Sequence, residues 1–167
     1  MQHNVLFLGD GNSARSIMAE AILNHEGGES FHAYSAGLRP APELDQRAIN
    51  LLTRLQYDIS EAYPKDWSEF AGASAPEFDF VFTLCEQAAL LPHAMLSGEP
   101  VFAHWDVGDP ARTLGSTAKV DLAYIDTLRT LSTRIGIFMN LPLRTPGHLA
   151  AHHFEGIGGK QTAMFGV

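Results

Sequence analysis

One cysteine, Cys85, is all the thiol in this chain of 167 residues. It has no partner for an internal disulfide, which fits a reducing compartment. Taken alone, a single cysteine behind an apolar run reads as a small buried residue. Positive charge is scarce as well. Lys and Arg number 11 against 19 Asp and Glu, and the net charge is −8 with neutral histidines. No basic cluster is dense enough to follow the phosphates of a duplex or to hold an anionic bilayer, so no nucleic acid and no membrane is expected as a partner. No apolar run approaches the roughly 18 residues that span a bilayer. Met1-Gln2-His3-Asn4 leads straight into a strand-like run, without a basic flank or a small-residue cleavage pattern. A secretion signal is therefore not expected, and the expected location is cytoplasmic. None of the histidines, His152 and His153 included, stands at ligand spacing from acids or from Cys85. No metal and no cofactor is expected.

What is present is ordinary globular material, with hydrophobic residues at 46% and charged residues at 18%. That supports one domain with a real core, expected over residues 1–147. Residues 148–167 read as a glycine-punctuated tail, loosely packed or set against another subunit, as in a homodimer, or against another protein. Short apolar runs predict strands at 5–8, 31–35, 78–84 and 100–105. Helical spacing predicts helices at 14–25, 43–55 and 118–139, with shorter ones at 65–70 and 86–91. The second helix would bury Leu44, Ala48, Leu51, Leu52 and Leu55. The last would bury Leu128, Leu131, Ile135 and Phe138, extended by Ala123 or Tyr124 and by Ile125. Alternating strands and helices predict an α/β layered domain with a parallel sheet. Ligands in such domains sit at the C-terminal ends of the strands. The loops after Leu8, Leu84 and Trp105 meet there by topology alone.

The first of these loops has the layout of an anion seat. Gly9-Asp10-Gly11-Asn12-Ser13-Ala14-Arg15-Ser16 joins a strand to a helix. Its two glycines and small side chains let the backbone N–H groups turn inward together. The helix N-terminus adds about half a positive charge. Arg15 can lay a planar fork on two oxygens of a tetrahedral ligand. Asn12 and Ser13 can hold the loop in shape. The expected ligand is an oxyanion such as phosphate, sulfate or arsenate. Without further context Asp109, before a proline, reads as a turn starter, and His104, Tyr63 and Trp67 as packing residues.

The run from Leu8 to Glu20 resembles the phosphate loop (P-loop) of the low-molecular-weight protein tyrosine phosphatases, closest to their thioredoxin- or glutathione-linked arsenate reductase branch. Gly11 through Glu20 match the family pattern throughout. Tyr34-Ser35-Ala36-Gly37 matches the family's Ser-Ala-Gly turn, and the resemblance implies that Ser35 braces Asn12. Phe80 through Cys85 matches a strand ending in a redox cysteine. His104-Trp105 with Asp109-Pro110 matches the loop bearing the general acid. The resemblance covers roughly residues 4 to 142. It implies a flavodoxin-like three-layer fold with a four-stranded parallel sheet, and Arg15 and Asp109 as retained catalytic positions.

The departures decide the chemistry. Gly9 stands where the family has its nucleophilic cysteine, and Asp10 where it has threonine. The stretch after Cys85, Glu86-Gln87-Ala88-Ala89-Leu90-Leu91-Pro92, holds no further thiol. Cys85 is thus a redox remnant, since two of the three thiols of the reductase cascade are absent. Loss of a covalent nucleophile costs on the order of 10⁶-fold in rate, or roughly 8 kcal/mol of barrier. An Asp10 nucleophile, or a water in place of the thiol, are the remaining catalytic routes. Asp10 is expected to face solvent at the pocket rim and to repel an anion by roughly 2 kcal/mol at ~8 Å and an effective dielectric of ~20. The expectation is an anion-binding member without cysteine-based catalysis. An active reductase or phosphatase using an altered route is the alternative.

Overall fold

The apolar run that opens the chain lies at the centre of the molecule. In the computed structural model, which describes residues 2–143 together with 156 and 157, strand β1 spans His3–Gly9 and is buried from Val5 onward. Strand β2 (Phe31–Gly37) pairs with it on one side and β3 (Phe80–Thr83) on the other, with β4 (Val101–His104) outside β3. All pairings are parallel and the order is β2-β1-β3-β4. A strand with neighbours on both edges and layers on both faces must be apolar at every position, which is why β1 shows no alternation.

The chain leaves β1 toward one edge and returns to β3 on the other. The reversal of strand order therefore lies at the C-terminal ends of β1 and β3, where α/β folds take ligands. The domain limit at 147 and the tail at 148–167 fall outside the described residues, apart from Gly156 and Ile157.

One sheet face, carrying Val5, Phe7, Phe80 and Phe82, is covered by helices α1 (Arg15–Glu26), α2 (Gln46–Arg54) and α4 (Thr117–Met139). Phe82 stacks on Trp105 at 4.0 Å between centroids, and Phe138 of α4 meets Phe80 and Phe82 edge-on at 5.0 Å each. The other face, with Leu6, Leu8 and Val81, packs against Phe70, Phe78, Leu96, Cys85 and Ala88 of α3 (Glu86–Ala89). This is the three-layer, four-stranded parallel fold that the sequence implies.

The differences from the sequence reading have local causes. Helix α2 starts at Gln46 rather than at 43, because Asp45 Oδ1 accepts the amides of Arg47 and Ala48 and caps it there. Leu44 precedes the helix. Leu55 follows it, and is 47% exposed where the backbone turns left-handed at Gln56 (φ 63°). In α4, Tyr124 is buried and extends the apolar face, and Ile125 does not. The helix expected over 65–70 is a single 3₁₀ turn, Trp67–Phe70, held by a reciprocal cap between Asp66 and Glu69. Tyr63, expected to pack, is half exposed and donates to Glu69. Among the described residues no helix is long and apolar enough to cross a membrane.

Candidate functional site

β1 ends at Gly9, and the chain turns through residues 10–14 into α1. What shapes this turn is where its carbonyls go. Those of Gly9, Asp10, Gly11 and Ser13 accept the amides of Leu38, Arg39, Ala41 and Asp45, at 3.2, 2.9, 2.8 and 3.0 Å. The stretch 38–45 thus straps the outside of the loop by its carbonyl oxygens. Among the described residues the amides of Asp10, Gly11, Asn12, Ser13 and Ala14 donate to nothing. The N-cap position of α1 is Ala14, which has no side chain to close the helix end. A helix start with open N–H groups, behind a loop whose carbonyls are already engaged, is a place of positive potential.

Asn12 holds the bend. It is 1% exposed and left-handed (φ 47°), a conformation asparagine tolerates better than most residues. Its Nδ2 donates to Ser16 Oγ at 2.8 Å and to Ser35 Oγ at 2.9 Å, while Oδ1 accepts the amide of Lys65 at 2.7 Å. Ser35 in turn donates to Glu20 of α1, and Lys65 Nζ stands 3.4 Å from the same carboxylate oxygen. Lys65 is nearly buried and also donates to the carbonyl of Tyr63. A buried lysine with a carboxylate and a carbonyl beside it is compensated, and it fixes the distance between α1 and the 63–66 segment. Ser13 contributes its backbone carbonyl; among the described residues its hydroxyl makes no bond.

Arg15, in the first turn of α1, is held inward with its side chain only 13% exposed. Nη1 donates to the carbonyl of Val107 at 2.9 Å and, more loosely, to that of Leu84 at 3.4 Å. Nη2 faces Asp109 Oδ2 at 3.6 Å. One guanidinium therefore ties together the three loops that follow β1, β3 and β4. Asp109 caps the 3₁₀ turn Pro110–Arg112 through Oδ1, which accepts the amide of Ala111, and its other oxygen lies 3.7 Å from Arg112 Nε. His104 shares a hydrogen bond with Thr83 through Nδ1 at 2.9 Å, and Trp105 is fully buried.

Asp10 corrects the sequence reading. It is not a bare carboxylate aimed at solvent, because Arg39 grips it through Nε and Nη2, at 3.0 and 3.1 Å. That fork offsets the repulsion expected of an unpaired charge beside the seat. Cys85 lies in the smaller apolar layer, among the residues packed on Leu8 and Ala36, and is buried.

Sequence reasoning missed Arg39, Lys65 and the role of Glu20. It also missed Asp45, whose Oδ2 accepts the phenol of Tyr124 at 2.7 Å. Burial and that carboxylate raise the Tyr124 pKa well above its ordinary value. Among the described residues no group of three or more His, Cys, Asp or Glu is placed to hold a metal ion.

Gly37 is indispensable to this geometry. A Cβ there would lie 2.5 Å from the Asp10 carbonyl, 2.9 Å from the Asn12 amide nitrogen and 3.0 Å from the Gly11 carbonyl carbon, all of them loop backbone. Gly37→Ala is expected to push the loop off its bed. It should cost about 1–3 kcal/mol in denaturant unfolding and weaken phosphate binding at least tenfold by calorimetry. Native-like stability and affinity would show that the loop can yield.

The model of the low molecular weight phosphotyrosine protein phosphatase family matches residues 4–135. An arsenate reductase of Oceanobacillus iheyensis is 31% identical over 143 residues, covering 80% of this chain and 93% of that protein. The crystal structure of arsenate reductase from Archaeoglobus fulgidus superposes with a TM-score of 0.63 at 26% identity, over 82% of this chain and 99% of that one. An arsenate reductase in the phosphate binding state superposes with a TM-score of 0.68 at 23% identity, over 83% and 97% of the respective chains.

Proposed function

The chain belongs to the low molecular weight phosphotyrosine protein phosphatase family, on its arsenate reductase branch, and from that premise we propose that it binds tetrahedral oxyanions in the 9–16 loop without cysteine-based catalysis. The observation that carries this reading is the strapped loop. Four carbonyls are engaged by amides of residues 38–45, five loop amides make no bond among the described residues, and Arg15 stands in the first turn of the helix that follows. Backbone donors of this kind, at a helix start and beside a fixed guanidinium, suit an anion of the phosphate, sulfate or arsenate type. A structural neighbour described in its phosphate binding state supports the choice of ligand class. The protein is in this sense a pseudoenzyme, a reading that also fits a reducing cytoplasm.

Catalysis is the part that is lost. In-line attack needs a nucleophile at the floor of the loop, and Gly9 has no side chain. Asp10 is committed to Arg39 by both oxygens, which removes it as a substitute. A reductase needs thiols to deliver electrons, and Cys85, the only one, is buried in the apolar layer. The approach of Arg15 to Asp109, 3.6 Å apart, is the observation that supports the second reading, an enzyme working through an activated water.

Hydrolysis of p-nitrophenyl phosphate by the native protein separates the two. The expected result is no turnover above the buffer rate, alongside saturable binding of inorganic phosphate by calorimetry. Turnover at rates ordinary for enzymes, several per second, would favour the water route.

A further inference from the structure

We propose that the outer face of α4 is a docking surface for a second copy of this chain, the two helices lying antiparallel across a two-fold axis near their midpoints.

A surface helix ordinarily turns charge to the solvent. The outer face of α4 carries little. Leu128, Leu131, Ile135 and Phe138 face the core, and by the helical period the opposite stripe is Ala118, Leu122, Asp126, Arg129, Thr133 and Ile137. Leu122 and Ile137 are 53% and 48% exposed, and Ile125 on the flank of the stripe is exposed as well. The charges in the stripe are Asp126 and Arg129, one turn apart and paired at 3.3 Å. Gly136, beside the same stripe, is a second observation. Glycine weakens a helix interior, and a Cβ here would meet nothing among the described residues. A second helix approaching closely is a reason for it.

The placement of the two charges selects the occupant. Asp126 and Arg129 lie symmetrically about a point between Thr127 and Leu128, and α4, Thr117–Met139, has its midpoint at Leu128. A two-fold axis through that point lays one helix against the other over its full length, about 34 Å for 23 residues. Asp126 then faces the partner's Arg129, and Arg129 faces the partner's Asp126, so the contact is isologous and made twice. Leu122 meets the partner's Thr133 and Ile137 the partner's Ala118, a large side chain opposite a smaller one each time. A wholly acidic or wholly basic partner would match one of the two charges and oppose the other. The chain carries a net charge of −8, so two copies repel on most approaches, whereas on this stripe the charges cancel. A contact of one helix per protomer is small, below about 1,200 Å² in total, and belongs with weak, reversible association.

The test is sedimentation velocity of the full chain and two variants. From roughly 5 to 500 µM the native chain should pass from monomer toward dimer, as a small interface requires. Asp126→Arg and Arg129→Asp each set like charges against one another twice, and each alone should dimerise at least about tenfold more weakly. Mixed one to one, the two variants face Arg with Asp at both contacts and should associate at least as tightly as the native chain. Both side chains are exposed, 57% and 72%, so the fold is expected to be kept, which thermal melts check. A native chain that stays monomeric throughout overturns the proposal. Single variants that dimerise as well as the native chain place the contact on another face and overturn it too. Variants that stay apart when mixed overturn the choice of a second copy, and leave the face to another occupant, residues 144–167 of the same chain included.

Discussion

Gly9→Cys is expected to create phosphatase activity, raising p-nitrophenyl phosphate turnover over the native chain by on the order of 10⁵–10⁶-fold. The position accepts a side chain. Gly9 is not among the left-handed glycines, and a Cβ built on it meets nothing closer than Ser16 Oγ at 3.3 Å. That hydroxyl accepts from Asn12 and can shift by the few tenths of an ångström needed. A sulfur there lies under the open amides and the uncapped start of α1, an environment that stabilises thiolate over thiol. The expectation rests on the proposal that Arg15 serves the equatorial oxygens and Asp109, 3.6 Å from it, the leaving group.

The same substitution should leave arsenate reduction near background. Reduction needs further thiols within reach, and Cys85 is sealed in the apolar layer with no second cysteine after it. A Gly9→Cys protein that binds phosphate but shows no hydrolysis would mean that the arrangement of Arg15 and Asp109 is not competent. In that case more than the side chain at position 9 would separate this loop from a catalytic one.

Arg15→Ala carries the second large effect. Removing the fork should weaken phosphate binding by roughly 10²–10³-fold, the usual consequence of deleting one charged partner from a partly buried pair. Arg15 also bonds to two carbonyls that join the loops after β3 and β4, so some stability is lost as well, about 1–3 kcal/mol. The two consequences are separable. Arg15→Lys keeps the charge but cannot bridge Val107 and Leu84 or present two parallel donors, and should recover no more than about a tenth of the affinity. Calorimetry with phosphate, run beside thermal melts of each variant, measures both. Phosphate binding unchanged in Arg15→Ala would place the anion elsewhere.

Much of the fold was legible because its signals are short-range. Val5 through Leu8 announce a strand buried on both faces, and Leu128, Leu131, Ile135 and Phe138 mark the inner face of α4 without any knowledge of what lies opposite. The loop was legible as a motif for the same reason, since Gly11 to Ser16 lie side by side in the chain. What escaped was everything that depends on partners far along it. Lys65 meets Asn12 across 53 positions, and nothing in the residues around Lys65 marks it as buried. Arg39 meets Asp10 across 29, and without that fork Asp10 looks like a free charge. Asp45 sits within a stretch whose leucines keep helical spacing. Only its hydrogen bonds to Arg47, Ala48 and Tyr124 show that the helix waits for it.

The strap along 38–45 has one more consequence. Its hydrogen bonds to the loop carbonyls are backbone bonds of the fold itself. The freedom of the turn is given up on folding, so an arriving ion orders almost nothing. Encounter then reduces to shedding water and matching charge, and discrimination among ions must come from the ions themselves rather than from any rearrangement of the host.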